Sequence, residues 1–167
     1  MIRKKKLYSR PTKPFEKTRI EEENILVKKY GLKNKKEIWK ALAKINYFRK
    51  RAMVLAEASL EEQEVFFNKL NNLGFGINSI ADVLDLNVES LLKRRLPSIV
   101  TKQGLANSQK HARQLVAHKN VAIGERIINS PSYIVSVDEE NRINIKSRLN
   151  KSNTQTEIKN EEAPQNE

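Results

Sequence analysis

The chain predicts an α+β fold: a mainly helical N-terminal domain, then a small domain of two helices and a short antiparallel sheet. Three observations carry this. Apolar residues at alternating three–four spacing run through 35–58, the pattern of a helix with one buried face. A short helix with a serine at its start follows at 108–118. Beyond it the apolar period changes to two, and Gly and Pro stand between the runs, as strands joined by tight turns require.

In chain order, residues 1–17 carry Arg3, Lys4, Lys5, Lys6, Arg10 and Lys13, with Pro11 and Pro14 blocking helix, so they read as an extended basic arm. Phe15 is expected to anchor that arm to the helices behind it. From Thr18 the chain reads as helix. Thr18 with Glu21, Asn34 with Glu37 and Ser59 with Glu62 have or approximate the capping-box spacing. Gly31 and Gly74 fall where the first and third helices need a left-handed residue. In the long middle helix, Ile38, Ala41, Ile45, Phe48, Ala52 and Leu55 form the core stripe, with Trp39 packed beside it. Lys36, Lys40, Lys44, Arg49, Lys50 and Arg51 occupy its other faces, where acidic partners at i+4 are scarce, which favours phosphate as their counter-charge.

Residues 59–73 predict an acidic amphipathic helix anchored by Leu60, Phe67 and Leu70. Gly74-Phe75-Gly76 breaks it, and a short helix around Ser79–Leu84 follows. Helix resumes over 89–103, with Lys93, Arg94 and Arg95 exposed and Leu92, Leu96, Ile99 and Val100 buried; Pro97 either kinks or restarts it.

Ser108 is the expected N-cap of the next helix. Ala112, Leu115 and Val116 give it an apolar stripe, and Lys110, Arg113 and Gln114 a neighbouring polar face. The N–H groups at its start suit an anion such as phosphate. Gly124-Glu125, between Val121–Ile123 and Arg126–Ile128, is a two-residue loop with glycine first, a type II′ hairpin. Pro131 leads an alternating strand, Tyr133–Val137, and Asp138–Asn141 turns the chain into Arg142–Ile145. Four segments result: arm 1–17, helical domain 18–93, a small helix–helix–hairpin–strand module 94–148, and a tail 149–167 too polar to pack.

Charge narrows the function class. Lys and Arg number 32 against 20 Asp and Glu, a net +12 and a pI near 9.9. Residues 1–50 carry +12 and 89–150 carry +6, separated by −4 over 51–88 and followed by −2 over 151–167. Two basic blocks with an acidic spacer imply two contact surfaces for a polyanion. No apolar run approaches the ~18 residues of a spanning helix, and the basic opening leads into Leu-Tyr-Ser-Arg-Pro rather than an apolar signal core. Cysteine is absent, which excludes disulfides and thiolate metal sites and fits a cytoplasmic protein.

Catalytic chemistry finds no constellation. His111 and His118 are the two histidines, and on one helix they stand roughly 10 Å apart along the axis, too far to share a metal. Glu22/Glu23 and Glu61/Glu62 lack a partner base. Neither a cofactor nor a small-molecule substrate is implied.

Gly104-Leu105-Ala106, Ser108, His111-Ala112-Arg113 and Asn129-Ser130-Pro131-Ser132-Tyr133 resemble the RNA-binding domain of small-subunit ribosomal protein four. Arg10-Pro11, Lys13-Pro14-Phe15-Glu16-Lys17 and Tyr30-Gly31-Leu32-Lys33-Asn34-Lys35-Lys36-Glu37-Ile38-Trp39 resemble its archaeal–eukaryotic branch, so the likeness covers about residues 8–146. Two departures stand out: the cysteine zinc site of some bacterial members has no counterpart, and Asn120 lies where the family often has glycine or a basic residue.

The resemblance implies a structural constituent of the small ribosomal subunit, cytoplasmic, that binds small-subunit rRNA and nucleates early assembly near the mRNA entrance. Neighbouring ribosomal proteins and mRNA would be its further partners, and residues 59–88 an insertion. The RNA contacts it implies are Arg94, Arg95, Lys102, Ser108, Lys110, His111, Arg113, Gln114 and Lys119 in the module. In the N-terminal half they are Arg10, Lys13, Lys17, Arg19, Lys35 and Lys36. The alternative is a free-standing RNA-binding accessory or chaperone protein that uses the same module; the helical residues ahead of the module argue against it. An RNA-modifying enzyme would need a catalytic domain that those residues do not supply.

Overall fold

In the computed structural model, residues 7, 8 and 10–145 are described. The opening cluster Arg3–Lys6 and the tail expected at 149–167 lie outside the described residues. Among the described residues, eight helices and one three-stranded antiparallel sheet form the mixed α+β fold that the periodicities predict.

Helix α1, Lys17–Lys29, ends at Gly31, whose φ of 57° lets the Leu32 N–H return to the Val27 carbonyl at 3.0 Å. A Cβ on Gly31 would meet the Gln109 backbone at 3.1 Å, so the end of α1 lies directly against a helix start in the second half of the chain. Helix α2, Lys36–Leu55, buries Ile38, Ala41, Ile45, Phe48 and Ala52, five members of the predicted stripe. Helix α3, Leu60–Asn72, packs through Phe66 and Leu70, with Phe67 half-buried. The expected anchor Leu60 is 76% exposed: as the first helical residue it lies off the face that Phe66 and Leu70 turn inward.

Only some of the expected caps form. Helix α1 starts one residue ahead of Thr18, after Glu16, and neither Asn34 nor Ser59 makes a side-chain cap. The capping box occurs instead at Ser79, whose hydroxyl accepts from the Asp82 N–H while the Asp82 carboxylate accepts from the Ser79 N–H; it starts α4, Ile80–Leu84. Helix α5, Val88–Lys93, and α6, Leu96–Lys102, resolve the predicted 89–103 segment. The helix restarts, with Pro97 in the first turn of α6, where its missing N–H costs nothing.

Helix α7, Gln109–Ala117, is capped by the Ser108 hydroxyl, which accepts from the His111 N–H at 3.2 Å. It ends on Lys119 at φ 62°, the one non-glycine with positive φ among the described residues. Strands β1, Val121–Ile123, and β2, Arg126–Ile127, form the hairpin, with Ile123 opposite Arg126 and Gly124 at φ 58°.

The predicted strand Tyr133–Val137 does not form. Ile134 makes one isolated bridge to Arg95, and Val137 opens the short helix α8, Val137–Glu140, where the Glu139 carboxylate accepts from the Ser136 N–H. Backbone bonds from Leu96 to Tyr133 and from Val135 to Arg94 seat the segment on the α5–α6 junction instead. The third strand is β3, Ile143–Ile145, beside β1, giving the order β2-β1-β3.

Two apolar clusters result. One gathers α2 and α3 with Ile77, Val83, Leu86, Leu91 and Leu92; the other gathers Leu96, Ile99 and Val100 with α7, β1, Val135 and Ile143. They meet at Lys93-Arg94-Arg95, between α5 and α6.

Candidate nucleic-acid interface

The arginines at that junction are turned inward. Arg95 is 5% exposed. Its Nη2 donates to Glu37 at 2.6 Å and to the Ser132 hydroxyl at 3.1 Å, and its Nε to the Pro131 carbonyl at 3.2 Å. Arg113, on α7, donates through both Nη atoms to the same Glu37 carboxylate, at 3.1 and 2.8 Å, a two-pronged geometry that a guanidinium provides and an ammonium does not. Burial pushes the Glu37 carboxyl up, but hydrogen bonds from Arg113 and Arg95 outweigh it and hold the group below its ordinary range. Glu37 lies on α2, so one carboxylate joins the first turn of α2 to α7 and to the α5–α6 junction.

Arg94 is likewise internal. It donates to Glu140 at 2.7 Å and to the Val135 carbonyl at 3.1 Å. Its guanidinium lies over Gly74, where a Cβ would come within 2.7 Å of it. The expected exposure of Arg94 and Arg95 is therefore corrected: acids and carbonyls distant in sequence surround them. Charge reversal at Arg94, Arg95 and Arg113 would break the fold before it reported on any ligand.

A second carboxylate centre sits at the arm. Glu23, itself buried, accepts from Arg19 Nη1 at 2.7 Å and from the Trp39 indole N–H at 2.9 Å, with Lys35 Nζ at 3.3 Å. Burial raises its carboxyl, but the bonds from Trp39, Arg19 and Lys35 leave it below the ordinary value. Arg19 also donates to the carbonyls of Lys13 and Pro14, both at 3.0 Å, and so clasps the arm. The Tyr8 ring lies beside Trp39, tilted by 34°, with ring centres 6.3 Å apart. These contacts anchor the arm, not Phe15, which is 92% exposed.

The predicted contacts thus divide. Arg19, Lys35, Arg94, Arg95 and Arg113 hold internal carboxylates, and Ser108 is engaged as a cap. Arg10, Lys13, Lys17 and Lys36 are exposed in the N-terminal half, and Lys102, Lys110, His111, Gln114 and Lys119 in the second half. Lys110 and Gln114 lie one turn apart on α7, and Lys119 projects from its end. Sequence reasoning missed Glu23, Glu37 and Glu140 as acceptors. Only the i, i+4 spacing of Arg19 and Glu23 signalled such a pair locally.

Residues 94–141 match the family model of the S4 domain. Small ribosomal subunit protein uS4 of Methanothermobacter thermautotrophicus is 44% identical over 146 residues, 83% of this chain and 85% of that protein. The same protein of Ignicoccus hospitalis is 44% identical over 145 residues, covering 83% and 87%, and that of Methanococcus aeolicus 43% over 145 residues, covering 83% and 82%. The chain belongs to the uS4 family. This bears out the archaeal-branch resemblance read from the sequence. In the uS4 frame the S4 domain opens at Arg94, so Glu37 reaches across from the preceding helices to the second residue of that domain.

Proposed function

We propose that this uS4-family chain is a structural constituent of the small ribosomal subunit, and that it binds small-subunit rRNA through two outward basic surfaces. One is formed by Arg10, Lys13, Lys17 and Lys36, the other by Lys102, Lys110, His111, Gln114 and Lys119. The mechanism is neutralisation of phosphates with readout of the shape of a folded RNA junction. The observation that carries it is the division of labour among the cations. Arg94, Arg95 and Arg113 are consumed inside the fold and, through Glu37, fix its two halves together, while Arg10 and the lysines of the two surfaces face solvent. Such an arrangement presents two basic surfaces at a set separation, which suits one folded RNA better than two independent strands. The chain acts without catalysis or cofactor, nucleates early assembly, and lies near the mRNA entrance, with mRNA and neighbouring ribosomal proteins as further partners.

Sedimentation of the tagged protein from lysate, first at physiological and then at high salt, tests the reading. The expected result is migration with the small subunit that survives the high-salt wash. Release at moderate salt, or migration with free RNA, would instead identify a free-standing RNA-binding accessory protein.

A further inference from the structure

Between the arm and the first two helices lies a groove of about 510 Å³, within the usual size range of small-ligand sites. We infer that it receives one unpaired nucleotide of the bound RNA, an inference that rests on the RNA-binding reading above.

Two features of the groove match two parts of a nucleotide, the base and the phosphate. Pro11, Trp39 and Leu42 supply an apolar wall for the face of a base. Arg10 and Lys13, both exposed, stand on the arm side, where the flanking phosphate would lie. Arg19 and Glu23 supply a polar floor. There the Arg19 Nε–H is buried without a hydrogen-bond partner, its nearest acid being Glu16 at 3.8 Å. The Nε atom has almost no accessible surface, so this floor closes the groove beneath a base rather than donating to it. Glu16 is the exposed acid of the lining and lies beside that arginine. The groove is also pre-formed: the two bonds from Arg19 to the Lys13 and Pro14 carbonyls fix the arm beside α1. A peptide side chain would use the apolar wall but leave the two cations unanswered, so an RNA nucleotide is the better occupant.

Trp39 is the one tryptophan of the chain. Its fluorescence therefore reports on the groove and on the Tyr8 and Glu23 contacts beside it. The experiment titrates the full chain with small-subunit rRNA and with a short single-stranded oligonucleotide, across a salt series. Three proteins are compared: the native chain, Leu42→Gln, and Phe15→Ala, the last removing an exposed aromatic of the arm that does not line the groove. The native chain should show saturable quenching. Leu42→Gln, charge-neutral and at an exposed position, should bind about two- to fivefold more weakly, through lost apolar contact with the base. Its salt slope should be unchanged, because no phosphate contact is lost. Phe15→Ala should bind as the native chain does. Steep, salt-dependent binding with an unmoved Trp39 signal and no effect of Leu42→Gln would overturn the groove site and leave the RNA reading intact. Weakening by Phe15→Ala alone would also overturn it, placing the stack on the outer side of the arm. Failure of the native chain to bind RNA at all would remove both.

Discussion

Glu23 and Glu37 are two carboxylates that each collect several donors, yet their partners come from opposite distances along the chain. Glu23 takes Arg19 from the previous turn of its own helix and Lys35 and Trp39 from the start of the next. Glu37 takes Arg95 and Arg113, 58 and 76 residues away. The first centre organises the arm within the helical half. The second joins that half to the S4 domain. Local ion pairs shape a surface, whereas the remote one decides how two surfaces stand to each other.

The comparison can be broken by removing each charge in turn. Glu37→Gln leaves the buried Arg95 without a counter-charge and should cost about 3 kcal/mol, as breaking a buried pair does. Glu23→Gln should cost less, about 1.5 kcal/mol, because Arg19 and Lys35 are 22% and 33% exposed along their side chains and can turn to water. Denaturant midpoints of the two variants measure the ranking; equal losses would show that sequence distance carries no weight.

Acid sharpens it. Both carboxyls titrate below their ordinary range in the folded chain. The stability they contribute is therefore complete at neutral pH, begins to fall near the ordinary glutamate pKa of about 4.3, and is lost as pH drops through the folded values. Denaturation followed from pH 7 to pH 3 should show this limb, and it should be shallower in Glu37→Gln.

The smallest expected effect comes from a purely local feature. Lys119 adopts a left-handed conformation at the end of α7 that glycine adopts without strain. Lys119→Gly should gain about 0.5 kcal/mol. Because it deletes a proposed phosphate contact, the salt slope of RNA binding should fall by up to about 0.9. Thermal melts and a salt titration of the same sample check both, and a loss of stability would refute the strain.

What the sequence disclosed follows the same division between local and remote. The α2 stripe, the Ser108 cap, the glycine ends of α1 and α3 and the Gly124 hairpin depend on neighbours within a turn or two, and their residue types state them directly. Tyr133–Val137 misled because its alternation matches a strand, while the local signal that prevails, Ser136 followed by Glu139, is a helix start. The apolarity of Leu60 suggests an anchor, but the helix turns Phe66 and Leu70 inward instead. Arg94 and Arg95 could not be told from solvated cations, since Glu37, Glu140, Val135 and Pro131 are joined to them only by the folded topology. For the interface, composition disclosed that basic surfaces exist; which basic residues remain outward is decided by these remote pairings.

The reach of Glu37 also sets a schedule. During synthesis the carboxylate leaves the peptide exit before either of its arginines has been made, and Arg113 follows 76 residues later. At the usual 5–20 residues per second, that gap is about 4–15 s. Over that interval α2 must keep Glu37 hydrated, and the carboxylate gains its full set of donors only when α7 arrives. The helical half therefore matures last at its seam with the S4 domain, and the geometry between the two basic surfaces is settled only once the second half of the chain has been made.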